Sequence, residues 1–247
     1  MLAILVGLGL LQLCAGTGIT MRNNCGYTVW AAMYGRTKSA GTNYIPPNGG
    51  GWELRPGQSV HIDVPDDLVA GRWWGRTGCR NDGGRFHCET GDCGWLDCGN
   101  HHSTGVPPAT LAEITLNSPT DFYDVSLVDG FNIPMTLKPV GAAPGGEYWC
   151  RECFCRQDLN QICPNELKQI VNGRTVGCKS ACLAFNTDLY CCRGAHDRPE
   201  TCNPQTWPHD YHRFFKDHCH TAYSYAYDDR TSTFQCQHTA YEIDFCS

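Results

Sequence analysis

Cleaving a glycosidic bond takes two carboxyl groups, one that protonates the bridging oxygen and one that stays anionic across the bond. The chain places Glu113 in LAEITL, and Asp124 and Asp129 in YDVSLVDG, in or beside segments that read as strands. Spacing alone does not separate these acids from solvated or turn-capping side chains. Cysteine is the second chemically capable type, with 18 in 247 residues. Cys150-x-x-Cys153 has the spacing of half a zinc knuckle, but no matching second pair exists, so disulfides are expected and no metal or other cofactor. His209, His212, His218 and His220 crowd one stretch, yet ligand-like spacing arises in any such cluster, and no metal ligands are assigned there.

Disulfides need an oxidising compartment, and the first sixteen residues supply one. MLAILVGLGLLQLCAG is uncharged, apolar, too short to span a bilayer and ends in small residues, the pattern of a secretory signal. Cleavage after Gly16 leaves about 231 residues (247 − 16) and 18 − 1 = 17 cysteines, an odd number. The formal charge is 19 − 25 = −6 and is unaltered by this loss. That balance excludes binding through clustered Lys and Arg to a nucleic-acid backbone, and attraction to an anionic membrane. No interior apolar run reaches membrane-spanning length.

Strand-like segments follow at Met21–Trp30, Ser59–Val64, Leu111–Leu116 and Phe122–Val128, separated by the turn signals PPNGG, RPGQ, NDGG, VPP, DG and APGG. Many short strands with polar turns predict a mainly β fold, a sandwich in which a second sheet covers the first. Helical pattern is confined to Pro164–Val171 and Asp210–Lys216. Cysteines crowd between Cys150 and Cys219 and are absent between Cys98 and Cys150, which marks a loop-rich stapled lobe on a β core. Adjacent Cys191 and Cys192 are expected to reach different partners.

The segment GRFHCETGDCGWLDC at 84–98 resembles the signature of the thaumatin-like, pathogenesis-related (osmotin-like) family. NNCGYTVWAA, WGRTGC, PPATLAEITLN, YDVSLVDGFNIPM, YCC, RFFKDHC and AYSYAYDDRTSTFQC follow the same family's order, so the resemblance covers the whole mature chain. It implies a flattened β-sandwich core over 17–76, 109–156 and 220–247. A small disulfide-stapled loop region over 77–108 and a disulfide-rich lobe with short helices over 157–219 accompany it. The eight bridges it implies are Cys25–Cys246, Cys79–Cys88, Cys93–Cys98, Cys150–Cys236, Cys155–Cys219, Cys163–Cys178, Cys182–Cys191 and Cys192–Cys202. Cys153 is left over, as a buried thiol, an intermolecular bridge of an otherwise monomeric protein, or a rival for the Cys150 pairing. With the other thiols bridged, no catalytic cysteine is expected.

The resemblance also implies an acidic cleft of one Arg and four acids, which here match Arg72, Glu113, Asp124, Asp129 and Asp228, with Asp229 one residue away as the alternative. Two functions remain open. In one, a secreted protein of defence or wall remodelling acts weakly on β-1,3-glucan, with Glu113 as acid, Asp129 as nucleophile or base, and Arg72, Asp124 and Asp228 binding sugar. In the other, the same cleft grips a wall polysaccharide or a target protein without turnover. Tyr123, Phe131 and Tyr225 are the candidate sugar-stacking aromatics. The pair Trp73–Trp74 and Trp95 are expected to pack.

Overall fold

The computed structural model describes residues 16–247. The expected signal segment, residues 1–16, lies outside the described residues apart from Gly16. Two sheets face each other. One runs in the order Cys153–Cys155, Met135–Val140, Ala240–Phe245, Thr17–Asn23, Ser59–Val64. The second has seven strands: Phe234–Gln237, Thr120–Ser126, Leu111–Thr115, Leu68–Arg76, Val29–Thr37 and Asn43–Tyr44 in order, with Gly51–Leu54 also paired to Val29–Thr37. Side chains alternate across a strand with period two, so each sheet sends every second residue inward. Ile19, Met21, Ile243 and Phe245 from the first sheet meet Met33, Trp73, Ile114 and Val125 from the second, all at most 1% exposed.

The ends of the chain close this sandwich. Thr17–Asn23 runs parallel to Ala240–Phe245, with Asn23 opposite Phe245, and the Cys25–Cys246 disulfide follows directly beyond both strands. The other bridges are 79–88, 93–98, 150–236, 155–219, 163–178, 182–191 and 192–202. Between Cys155 and Cys219 the longest helix is Tyr211–His218, eight residues, too short to persist without tertiary packing and covalent ties.

Two expectations are corrected, and of the three fates open to Cys153 the structure gives the buried free thiol. Met21–Trp30 is two strands broken at 24–28, because the Asn23 side chain donates to the carbonyls of Tyr27 (2.8 Å) and Leu54 (2.7 Å) and accepts from Cys25 N (2.9 Å), which fixes a turn. Pro164–Val171 is one 3-10 turn, Asn165–Leu167, followed by a strand, Lys168–Val171, that pairs with Arg174–Cys178. The dipeptide Asn172-Gly173, with φ of 50° and 76°, makes the two-residue hairpin turn that overrides the helical pattern. Cys153 is 0% exposed with its Sγ directed at Leu137 O, and burial, with Asp124 adding to it, pushes the thiol well up. A sulfur so enclosed has no route to an intermolecular bridge.

The stapled loop is bound to the outer face of the larger sheet by a buried cation. Arg76 is 0% exposed and donates to the carbonyls of Trp30 (3.0 Å), Ala31 (3.3 Å), Trp95 (2.6 Å) and Leu96 (2.8 Å). Burial lowers its pKa to about 10, opposed by Asp92 and Asp97, so it stays charged. Gly51 permits the same approach, since a Cβ there would lie 1.7 Å from Leu96 O. At the far edge of the fold, His238 sits among acids. Its Nε2 lies 2.8 Å from Thr17 Oγ1 and 3.3 Å from Asp66 Oδ1, and its Nδ1 lies 3.2 Å from the buried Asp121.

Two outcomes are expected. Arg76→Met strands four carbonyls and should cost at least about 2 kcal/mol in denaturant unfolding, with Arg76→Lys failing to restore it because one ammonium cannot reproduce the fork. For His238, burial opposes the charge but Asp121 and Asp66 outweigh it, so its folded pKa is raised. Its contribution is therefore complete below the unfolded value of about 6.5 and lost as pH rises through the folded value. The melting-temperature gap between wild type and His238→Gln should narrow across that window. A gap that widens would contradict the assignment.

Candidate functional site

An acidic cleft of about 320 Å³ opens on the outer face of the seven-stranded sheet. Its floor is set by register: Arg72 lies opposite Glu113, and Glu113 opposite Asp124, on three adjacent antiparallel strands. Directly opposed residues project to the same face, so the sequence of pairings makes one straight row of a guanidinium and two carboxyls. Arg72 Nε lies 2.8 Å from Glu113 Oε1, and Arg72 Nη1 lies 3.8 Å from Asp129 Oδ2. Asp129 reaches the row from the turn after Thr120–Ser126. That turn is fixed by Ala109 N donating to Asp129 O (3.0 Å) and by Gly130, whose φ of +82° and 2.8 Å approach to Cys178 O exclude a side chain.

The far wall comes from residues 223–229. Tyr223 N donates to Val125 O and Leu127 N to Tyr223 O, both at 2.9 Å, which lays this segment along the Thr120–Ser126 strand. Tyr223 OH then donates to Asp229 Oδ1 at 2.9 Å and also contacts Thr233 Oγ1. One cation therefore faces four carboxyl groups, those of Glu113, Asp124, Asp129 and Asp229.

Burial decides where the proton sits in this cluster. Asp124 is held well above the usual carboxylate range by burial first and then by Glu113, against the pull of Arg72. Its Oδ1 is sealed from solvent without a hydrogen-bond partner, the expected environment of a carboxyl that keeps its proton. Glu113 is raised too, by burial, with Arg72 opposing and Asp129 adding to the rise. The arrangement can hold a neutral acid beside an anionic one, the inventory that acid-assisted cleavage of an acetal requires.

Of the sequence-expected residues, Arg72, Glu113, Asp124 and Asp129 meet here, and four others do not. Asp228 points away from the cleft. Both of its oxygens are engaged, Oδ2 by Lys216 Nζ (3.0 Å) and Ser224 Oγ (2.9 Å) and Oδ1 by Thr231 Oγ1 (2.7 Å), and Asp229 takes the place at the cleft. Tyr123 is 1% exposed, because neighbours in a strand face opposite ways and Asp124 already faces out; its hydroxyl donates to Arg151 O. Phe131 is 0% exposed in the core, where it bridges to Cys178. Tyr225 packs edge-on against Trp207 and His212. Trp73 and Trp74 are fully buried, whereas Trp95 is 48% exposed and stacks on His101 at 3.9 Å. Tyr223 was not foreseen; its position two residues past Thr221 carries no local signal, and only the pairing with Val125 brings it to the acids.

Comparison with known proteins agrees with this architecture. The thaumatin family profile matches residues 23–247. The chain is 50% identical over 234 residues to pathogenesis-related protein 5 of Arabidopsis thaliana, covering 93% of this chain and 90% of the relative. It is 47% identical over 232 residues to pathogenesis-related thaumatin-like protein 3.5 of Cryptomeria japonica, again covering 93% and 90%. Among solved structures, the family 64 laminaripentaose-producing β-1,3-glucanase of Paenibacillus barengoltzii superposes with a TM-score of 0.62 at 14% identity, over 94% of this chain and 75% of the enzyme, a likeness of fold. Profile, identity and fold converge: the chain belongs to the thaumatin family.

Proposed function

We propose that this protein is exported and binds cell-wall β-1,3-glucan in the acidic cleft, with slow endo-cleavage of the bound chain, in defence or wall remodelling. The observation that carries the reading is the row Arg72–Glu113–Asp124 with Asp129 on the same guanidinium, in a cleft open enough for a sugar chain. The β-1,3-glucanase named among the fold relatives supports the substrate class. In the proposed reaction Glu113 gives its proton to the leaving oxygen as the C–O bond breaks, and the Asp129 carboxylate stabilises or traps the positive sugar carbon; water then adds to that carbon, releasing Asp129 and returning its proton to Glu113. Asp124, kept neutral, spares the row a further negative charge, while Arg72 and Asp229 bind hydroxyls.

One observation favours retention without turnover as the second reading. The 2.8 Å contact between Arg72 and Glu113 ties up the group that must give the proton and favours its ionised form. Substrate hydroxyls that draw Arg72 towards Asp129 would free Glu113; if they do not, the cleft grips and does not cut. Retention on insoluble β-1,3-glucan and product release from the same sample separate the readings.

Glu113→Gln and Asp129→Asn should each lower laminarin hydrolysis by about 10²–10⁴-fold while glucan retention persists. Unchanged rates in both remove the catalytic assignment. Because the acid must be protonated, wild-type activity should fall as pH rises through the raised Glu113 value, a limb lying above the ordinary carboxylate range. Asp124→Asn has a separate signature. An acid whose folded pKa is raised makes the fold less stable as pH climbs past its unfolded value, so the amide should stabilise by on the order of 1 kcal/mol at pH 7 and by nothing near pH 3. Equal stability of the two proteins at both pH values would place the proton elsewhere.

A further inference from the structure

A second groove, of about 620 Å³, contains none of the acids of the cleft. It lies past the end of the strand that carries Arg72. Thr77, on its wall, is five residues on, so about 16 Å separates the two at ~3.3 Å per strand residue. Three parts of the fold meet there: the Tyr27–Trp30 segment, the stapled region at Thr77, Gly78 and Glu89, and the lobe at Asp158–Gln161 and Arg174–Val176.

The polar groups of this groove are locked before any ligand arrives. Asn132, 2% exposed, donates to Gly75 O (2.7 Å) and Thr90 Oγ1 (2.8 Å) and accepts from Thr110 N (2.9 Å). Its main-chain carbonyl takes Asn160 Nδ2 at 2.8 Å, which fixes the Asn160 amide with its Oδ1 turned away from solvent. Asp158 accepts from Asn160 N and from Gln161 Nε2, both at 3.1 Å, so the Gln161 amide is held by its nitrogen and its oxygen is spared. Across the groove Arg174 reaches Glu89 at 3.3 Å with one terminal nitrogen, and its side chain is 69% exposed. Tyr27, 48% exposed, and the half-buried Trp30 add aromatic surface.

These features fit one class of ligand. One cation against two carboxylates, 1 − 2 = −1, is too balanced to select a polyanion, and the density of amides and hydroxyls does not suit an apolar molecule. Fixed acceptors and donors beside an exposed ring suit a polyol with an apolar face, which a pyranose has. We propose that this groove is a second carbohydrate site, taking a neutral oligosaccharide with one ring on Tyr27 and its hydroxyls on Gln161 and the Glu89–Arg174 pair. With two sites on one molecule, retention on a polysaccharide exceeds that of either site alone wherever one chain or two neighbouring chains span both.

The test is an amide NMR titration of the full mature chain with laminarihexaose, xylohexaose and cellohexaose in turn, at millimolar concentrations. At least one sugar should shift the Gly78 and Thr175 amides saturably, and equally so in Glu113→Gln. Tyr27→Ala and Gln161→Ala, which alter exposed side chains and should leave the melting temperature in place, should each weaken that binding about tenfold or more. If none of the three sugars produces a saturable shift at the groove, or if both variants bind as the wild type does, the second site does not exist.

Discussion

The pairing of Arg72 with Glu113 and of Glu113 with Asp124 places a cation and two carboxyls in one row that the backbone ladder fixes and side-chain rotation cannot undo. A slip of one residue in either pair would turn the row into the core and bring Trp73, Ile114 or Tyr123 outward, so the same core that stabilises the sandwich enforces the site. Asp129 is added from the turn after Thr120–Ser126, and Asp229 from the short helix Asp229–Ser232, whose approach is set by the main-chain hydrogen bonds of Tyr223 with Val125 and Leu127. The chemistry of the cleft follows from packing a guanidinium and several acids where water is scarce: burial raises Asp124 and Glu113, and Arg72 pulls both back.

A single strand divides the outer face between structure and function. Along Leu68–Arg76, Arg72, Trp74 and Arg76 project outward in turn. Arg72 is open to the cleft at 36% side-chain exposure, while Trp74 and Arg76 are covered by the stapled loop. The loop thus covers Trp74 and Arg76 and stops short of Arg72. Its two disulfides close short spans, of 9 and 5 residues, and Arg76 anchors it to the sheet through carbonyls of Trp95 and Leu96.

Fold class was legible because period-two patterning, turn signals and cysteine distribution all point to a stapled sandwich. Four of the cleft residues were legible through family resemblance, since their spacing alone is that of ordinary acids. What failed did so for identifiable reasons. Tyr123 was assigned to the cleft beside Asp124 although adjacent strand residues cannot share a face. Asp228 and Asp229 differ only in which one the local helix turn and Lys216 engage, a tertiary fact. Asn172-Gly173 carried a hairpin signal that the helical reading of the preceding residues hid. Arg76 left no trace in sequence, because its hydrogen-bond partners are main-chain carbonyls, which any residue supplies.

The central claim is that the row holds a proton above the ordinary carboxylate range and meets sugar there. Carboxyl-carbon NMR of protein labelled at Asp and Glu side chains, titrated with pH in the absence and presence of laminarihexaose, measures both halves at once. Asp124 and Glu113 are predicted to titrate above the other carboxyls and to move when the sugar is added. If both titrate in the ordinary range and neither responds to the sugar, the account of the cleft is wrong.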